Sequence, residues 1–396
     1  MSSIASSVNK PAETGEPKSK PMGRFAKVLL SLLWLALLLE VVPRLFIASG
    51  LLEHERVRKA VLGGDDSSWR IFWEVLRKRH EEWTGKYSTY HPTRGWAMIP
   101  DVKDMTPFGP GKFVNTNSKG LRGTTEYPYA RVPGKERILV LGDSFTFGTD
   151  VSDDETYSHY LEADLPNTEV LNLGIQGYGQ DQMLLYLKEE GVKYHPDVVL
   201  LGFAHMDIHR NLWKFFAYAK PKYDLTANGV KLTNVPVPTP EQVLAQEPYR
   251  SKAVDTAVIL NGKIRWALGL TERDARALTL PILDEIVVTS RGIGAVPVFV
   301  YLPAYEEVED LSDSMSENEQ YLYDYCRARN LACLFLRPRF VKETRSGAKL
   351  ESHYHWTPQM HKIAAEEIVK FLAANGLIHQ APAQAGNSNQ SNLTRQ

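Results

Sequence analysis

Arg137-Ile-Leu-Val-Leu-Gly-Asp-Ser-Phe-Thr-Phe-Gly148 decides the fold. Ile138 to Leu141 is a short apolar run with β-branched members, closed by Gly142 and Asp143, and reads as a buried parallel strand. The strand stops in a small-polar turn, and a helix-like segment follows at about Asp154. Open α/β sheets place their ligands where a strand end feeds a helix. A serine there sits at the carboxyl edge of the sheet, near the positive end of the next helix, with backbone N–H groups facing an anion. Ser144 is therefore a candidate nucleophile, although Gly-Asp-Ser alone is also ordinary turn material.

Outward from that strand the alternation continues. Thr156 to Leu165 reads as a helix, Glu169-Val-Leu-Asn-Leu-Gly174 as a strand, and Asp181 to Glu190 as a helix. Asp197 to Phe203 is a fully apolar, central strand. Val296 to Leu302 and Ala332 to Leu336 complete the strands, with helices over Glu317–Arg329 and Pro358–Ala374. Such alternation predicts a parallel sheet with helices on both faces, a flavodoxin-like three-layer α/β/α sandwich over 135–378. From Asp207 to about Ala275 the pattern breaks, and Asn228-Gly229 between short alternating runs signals a hairpin. That span reads as an insertion over the sheet edge, a lid or substrate wall.

The 396 residues carry a formal net charge of −1, so no electrostatic signature of a nucleic-acid partner is present. The two cysteines, Cys326 and Cys333, read as buried free thiols, with a single bridge open to them outside the cytoplasm. Residues 1–24, rich in Ser, Pro, Lys and Glu, read as disordered, as does the tail 379–396. Arg24 and Lys27 flank an apolar run that, taken as one helix over 25–48, is long enough to cross a bilayer. Glu40 and Arg44 are spaced to pair, and the basic lead favours a cytoplasmic N-terminus. A signal peptide cleaved near Ala48-Ser-Gly50 is the competing reading. Residues 49–134 form an extension, in which Trp69, Phe72, Trp73 and Leu76 share a helical spacing suited to packing on the main domain.

A second chemical stretch is Glu351-Ser-His-Tyr-His-Trp-Thr-Pro-Gln-Met-His361. Three histidines here suggest a metal, but no cysteine or carboxylate cluster completes a site, and no metal or cofactor is expected. One histidine in a loop before the last helix suffices as general base to Ser144.

Taken together, these stretches resemble the SGNH (GDSL-type) esterase superfamily, in a bacterial membrane-anchored branch. Gly142 to Gly148 is similar to its first block, Asn172 to Gly179 to its second, and His355-Trp-Thr-Pro-Gln-Met-His361 to its last. Asn117 to Gly123 and the hairpin region also resemble that branch. The resemblance implies Ser144 as nucleophile, His355 as base, and the N–H groups of Ser144 and Gly177 as oxyanion hole. It implies an ester substrate, acyl or acetyl groups on carbohydrate or lipid-like molecules, by hydrolysis or transfer, with envelope proteins as partners. Two features depart from it. Met206 stands where an oxyanion asparagine is expected before Asp207, leaving His205 or Asn211 as substitute donors. His353 stands where the orienting acid is expected, and is the candidate to hold His355. Asp143 and Asp207 are supporting candidates. A catalytically weakened fold that binds a glycan or acyl ligand, or serves as a subunit of an envelope assembly, is the alternative.

Overall fold

A computed structural model describes residues 23–63, 66–75, 87–216, 219–227, 229–246, 250–350 and 354–378. Residues 1–22 of the tail expected over 1–24 and the tail 379–396, together with Leu76, Asn228 and His353, lie outside the described residues, while Arg24 already opens a helix.

Two short strands, β1 (Ser88–His91) and β2 (Gly95–Met98), pair antiparallel ahead of the main sheet. The main sheet contains β3 (Glu136–Gly142), β4 (Thr168–Gly174), β5 (Val198–Phe203), β8 (Val296–Tyr301) and β9 (Ala332–Phe335). Its order is β4-β3-β5-β8-β9, every pair parallel. This is a doubly wound α/β sheet, as the alternation predicts. The direction of winding reverses at β3, so the crevice beyond its carboxyl end is the switch point where such sheets bind ligands. Ser144 lies there.

The period of two along β3 divides the core. Leu139 and Leu141 face the helices Gln180–Glu189 and Leu270–Gly292 through Met183, Leu184, Ile282 and Ile286. Ile138 and Val140 face the helices Tyr157–Asp164 and Pro358–Ala374 through Leu161, Ala364, Ile368 and Leu372. Each buried Leu or Ile contributes about 1.5–3 kcal/mol, which makes these two layers the main support of the sheet.

The hairpin is present as β6 (Lys222–Thr226) and β7 (Gly229–Thr233), with Thr226 opposite Gly229. Helices Pro240–Gln246 and Lys252–Ala267 follow. The helix Leu270–Gly292 begins inside the span read as insertion, yet its body packs on the sheet. Lys220, fully buried, fastens the insertion to Asp181 of the helix Gln180–Glu189 and donates to the carbonyl of Arg210 at 3.0 Å. From the extension, Trp69 stacks on Phe215 and Trp73 meets the same ring edge-on, so the shared helical spacing does serve packing.

The helix Arg24–Ala48 has 25 residues, none of them buried, and is long and apolar enough to cross a membrane. Arg44 Nε lies 2.8 Å from Glu40 Oε1, as their spacing predicts. One expectation is overturned: Cys326 and Cys333 are not free thiols but are joined in a disulfide. The helix Glu317–Arg329 ends next to the edge strand β9, which brings the two sulfurs together.

Candidate active site

Ser144 does not sit in a loop that waits for a helix near Asp154. It opens a one-turn helix, Ser144–Phe147, directly after β3. Asp143 caps that turn by accepting the N–H of Phe145 at 3.0 Å. Such a cap satisfies one of the N–H groups a helix start leaves open. The turn is seated by close approach. A Cβ on Gly142 would stand 1.9 Å from Thr146 Oγ1, and one on Gly174 would stand 2.3 Å from the Phe147 nitrogen. Asn172 locks it from below, donating to the Thr146 carbonyl and to Ser158 Oγ, each at 2.8 Å.

His355 reaches Ser144 from the segment before the last helix, with Nε2 3.0 Å from Oγ. The helix Pro358–Ala374 fixes that segment. Thr357 caps it, and Trp356, buried, donates its indole N–H to the Pro303 carbonyl at 3.0 Å. The imidazole of His355 meets the rings of Phe145 and Tyr354 edge-on. Burial holds its pKa below the usual histidine value, against the opposing pull of Asp143 and Asp150. His361, by contrast, is a core residue. Its Nδ1 accepts the Tyr157 N–H at 3.2 Å, and burial pushes its pKa down to about 3.

The other imidazole nitrogen of His355 meets a carboxylate that the sequence reading did not single out. Nδ1 lies 3.3 Å from Asp150 Oδ2. Asp150 follows the nucleophile by six positions and takes a left-handed backbone, φ 71°. Its loop is clasped by Arg122, which donates to the carbonyls of Gly148 (3.4 Å) and Val151 (2.9 Å) and pairs with Asp153. Arg122 comes from the Asn117–Gly123 stretch, so the extension before the domain shapes the site. An acidic residue shortly after the nucleophile was the available signal. Its direction was not readable, because it depends on a loop clasped from elsewhere in the chain.

Gly177 lies in a turn closed by the Tyr178 N–H to the Ile175 carbonyl at 3.2 Å, with φ 77°. The third residue of such a turn takes positive φ most easily as glycine, and its own N–H is not part of the closing bond. Phe216 of the insertion covers it. A Cβ on Gly177 would come within 2.5 Å of that ring, so Phe216 lies directly against this turn.

The remaining candidates lie elsewhere. Asn211 is buried, with its amide donating to Gln180 Oε1 and Thr279 Oγ1, both at 2.8 Å. His205 and His209 direct their Nε2 atoms at Glu272, at 3.2 and 2.7 Å. These contacts tie the segment His205–His209 to the helix Leu270–Gly292 and hold the Glu272 carboxyl below its usual range. Met206 accepts the Tyr354 hydroxyl at its sulfur, 3.1 Å away. Asp143 and Asp207 are both fully buried and both pair with Arg210.

Compared with known proteins, this chain is similar to G-D-S-L esterases. A two-domain esterase active on acetylated mannans matches at 12% identity over 63% of this chain and 53% of that one, TM-score 0.37. The chain thus spans about half the length of that esterase. TesA matches at 13% identity over 61% of this chain and 100% of that one, TM-score 0.35. Axe2, an acetylxylan esterase from Geobacillus stearothermophilus, matches at 13% over 60% and 95%, TM-score 0.36. No family model and no curated protein matches the chain.

Proposed function

We propose that the chain is an SGNH-type serine ester hydrolase, held at a membrane by the helix Arg24–Ala48 with its α/β domain outside the cytoplasm. One observation carries the chemistry: His355 bridges Ser144 and Asp150, at 3.0 Å and 3.3 Å. Ser144 Oγ attacks the ester carbonyl while its proton passes to His355 Nε2. The carbonyl electron pair moves to oxygen, which the N–H groups of Ser144 and Gly177 receive. Collapse of this intermediate expels the alcohol, which takes the proton back from His355, and water repeats the sequence on the acyl-serine. Asp150 holds the imidazole in the tautomer with Nδ1 protonated and offsets the charge it gains. Transfer to an acceptor other than water would use the same steps.

The location rests on three features: the exposed apolar helix, the basic residues Arg24 and Lys27 in its first turn, and the disulfide, a bond kept in oxidising compartments.

The full chain in detergent, treated with a fluorophosphonate and weighed intact, tests the reading. An adduct on the unaltered chain that is absent from Ser144→Ala and slowed in His355→Ala is expected. A folded chain that takes no adduct would leave only binding of a glycan or acyl ligand, the reading that Met206 favours by removing an amide donor.

A further inference from the structure

The cleft offers the developing oxyanion two peptide N–H groups and, at position 206, a thioether, which cannot donate a hydrogen bond. The neighbouring amides are engaged elsewhere. Asn211 donates to Gln180 and Thr279, Asn172 to Thr146 and Ser158, and Gln176 to Thr149.

A guanidinium stands beside the turn of Ser144. Arg210 Nη1 lies 3.3 Å from Asp143 Oδ2, the same oxygen that Ser144 Oγ approaches at 3.4 Å. It also donates to the carbonyl of Tyr178, the residue after Gly177, at 3.0 Å. Its carbon lies 5.5 Å from the centre of the Phe216 ring, the ring that covers Gly177. The cation is thereby enclosed between the turns that carry both peptide donors.

We propose that Arg210 is the third element of the oxyanion hole, a fixed positive charge in place of the absent amide. The inference rests on the esterase reading above. During attack the guanidinium keeps all its protons, and only the electron pair of the carbonyl moves toward it. A preorganised charge aimed at a forming oxyanion stabilises it without solvent rearrangement. Asp143 and Asp207 make a charge tolerable at this depth. Burial alone would lower the pKa of Arg210, yet the two carboxylates outweigh it and keep the group cationic. Asp207, buried beside Asp143, has its own pKa raised well above the usual range.

A merely structural Arg210 would tie the segment Met206–Arg210 to the turn of Ser144 and do no more, so a folded variant would keep its kcat. The charge of Arg210 also lowers the pKa of His355, so its removal is read in the pH profile as well. The test compares p-nitrophenyl acetate turnover by the full chain with that of Arg210→Gln and Arg210→Lys, beside Ser144→Ala, after thermal melts of each. Arg210→Gln is expected to lose about 10²–10³ in kcat with little change in KM. Its acidic limb should move to higher pH, since the cation that depressed His355 is gone. Arg210→Lys keeps the charge, so its limb should stay in place while kcat falls less. A folded Arg210→Gln with unchanged kcat and limb overturns the proposal. If that variant melts below the assay temperature, Arg210→Lys decides: a drop of about tenfold in kcat alone supports the role, and an unchanged kcat overturns it. No serine-dependent turnover by the unaltered chain removes the esterase reading and this inference with it. Turnover that ignores Arg210 removes only the inference.

Discussion

Asp150 and His355 meet at 3.3 Å although 205 positions separate them. On the proposed reading, this carboxylate takes the place of the acid expected at position 353. Asp150 is half exposed, which screens its interaction with the imidazole. Asp150→Asn should therefore lower kcat/KM by about 10–10³-fold, less than the ~10⁴ reported for a fully buried acid. Adding His353→Asp to that variant should restore part of the loss, by returning a carboxylate to the expected position. Steady-state kinetics on both variants check this, and an Asp150→Asn enzyme within threefold of the parent would count against it.

The depressed pKa of His355 sets the working range. A general base acts in its neutral form, so activity is full above the histidine pKa and falls as pH drops through it. Burial lowers that pKa, so the acidic limb of kcat/KM should lie below the ordinary ~6.5. Asp150 opposes the shift, and Asp150→Asn should carry the limb lower still. A limb at or above 6.5 in the parent enzyme would contradict the assignment.

Arg122 offers a more distant control. Arg122→Met frees the carbonyls of Gly148 and Val151 and unpairs Asp153, loosening the loop that presents Asp150. Its kinetic signature should resemble that of Asp150→Asn, a lower kcat with the limb moved down. Breaking a buried pair also costs about 3–5 kcal/mol, to be read by urea unfolding.

Gly142→Ala tests the seat of the nucleophile. The new methyl would overlap Thr146 Oγ1, and overpacking of this kind costs about 1–3 kcal/mol. Turnover should fall with it, because Thr146 shares a single helical turn with Ser144. Because the new methyl would also stand 2.5 Å from Thr146 Cβ, adding Thr146→Ala should leave much of the loss in place in melting and kinetic assays.

Lys220 and Asp181 are both fully buried, and Lys220→Met leaves an unpaired carboxylate in the interior. A loss of about 3–5 kcal/mol is expected, with Lys220→Met/Asp181→Leu milder than the single change. Equal losses in the two variants would show that the stranded carboxylate carries no penalty of its own.

Sheet strands were legible because two-sided burial demands continuous apolar runs, as in Val140 between Leu139 and Leu141. Ser144 and His355 were legible because each lies beside a fixed element, a strand end and a proline-started helix. Asp150 was not, since its aim depends on a left-handed residue and on a clasp by Arg122, neither of which has a local pattern. Arg210 escaped for another reason: an arginine on a short helix looks like a surface charge until two buried carboxylates close around it. The cysteine bridge hung on compartment rather than on spacing, and the preferred reading of free thiols failed there.

Ser144 and Asp150 belong to one short piece of chain, so only the imidazole is delivered from afar. Its carrier is the start of the helix Pro358–Ala374, seated by Thr357, Trp356 and the contact of His361 with Tyr157. On the proposed reading, the reach of the base is therefore set by how the short segment ahead of that helix is held. Shifting only Tyr354–Trp356 would withdraw the imidazole, while Ser144 and Asp150 stayed together on their own piece of chain.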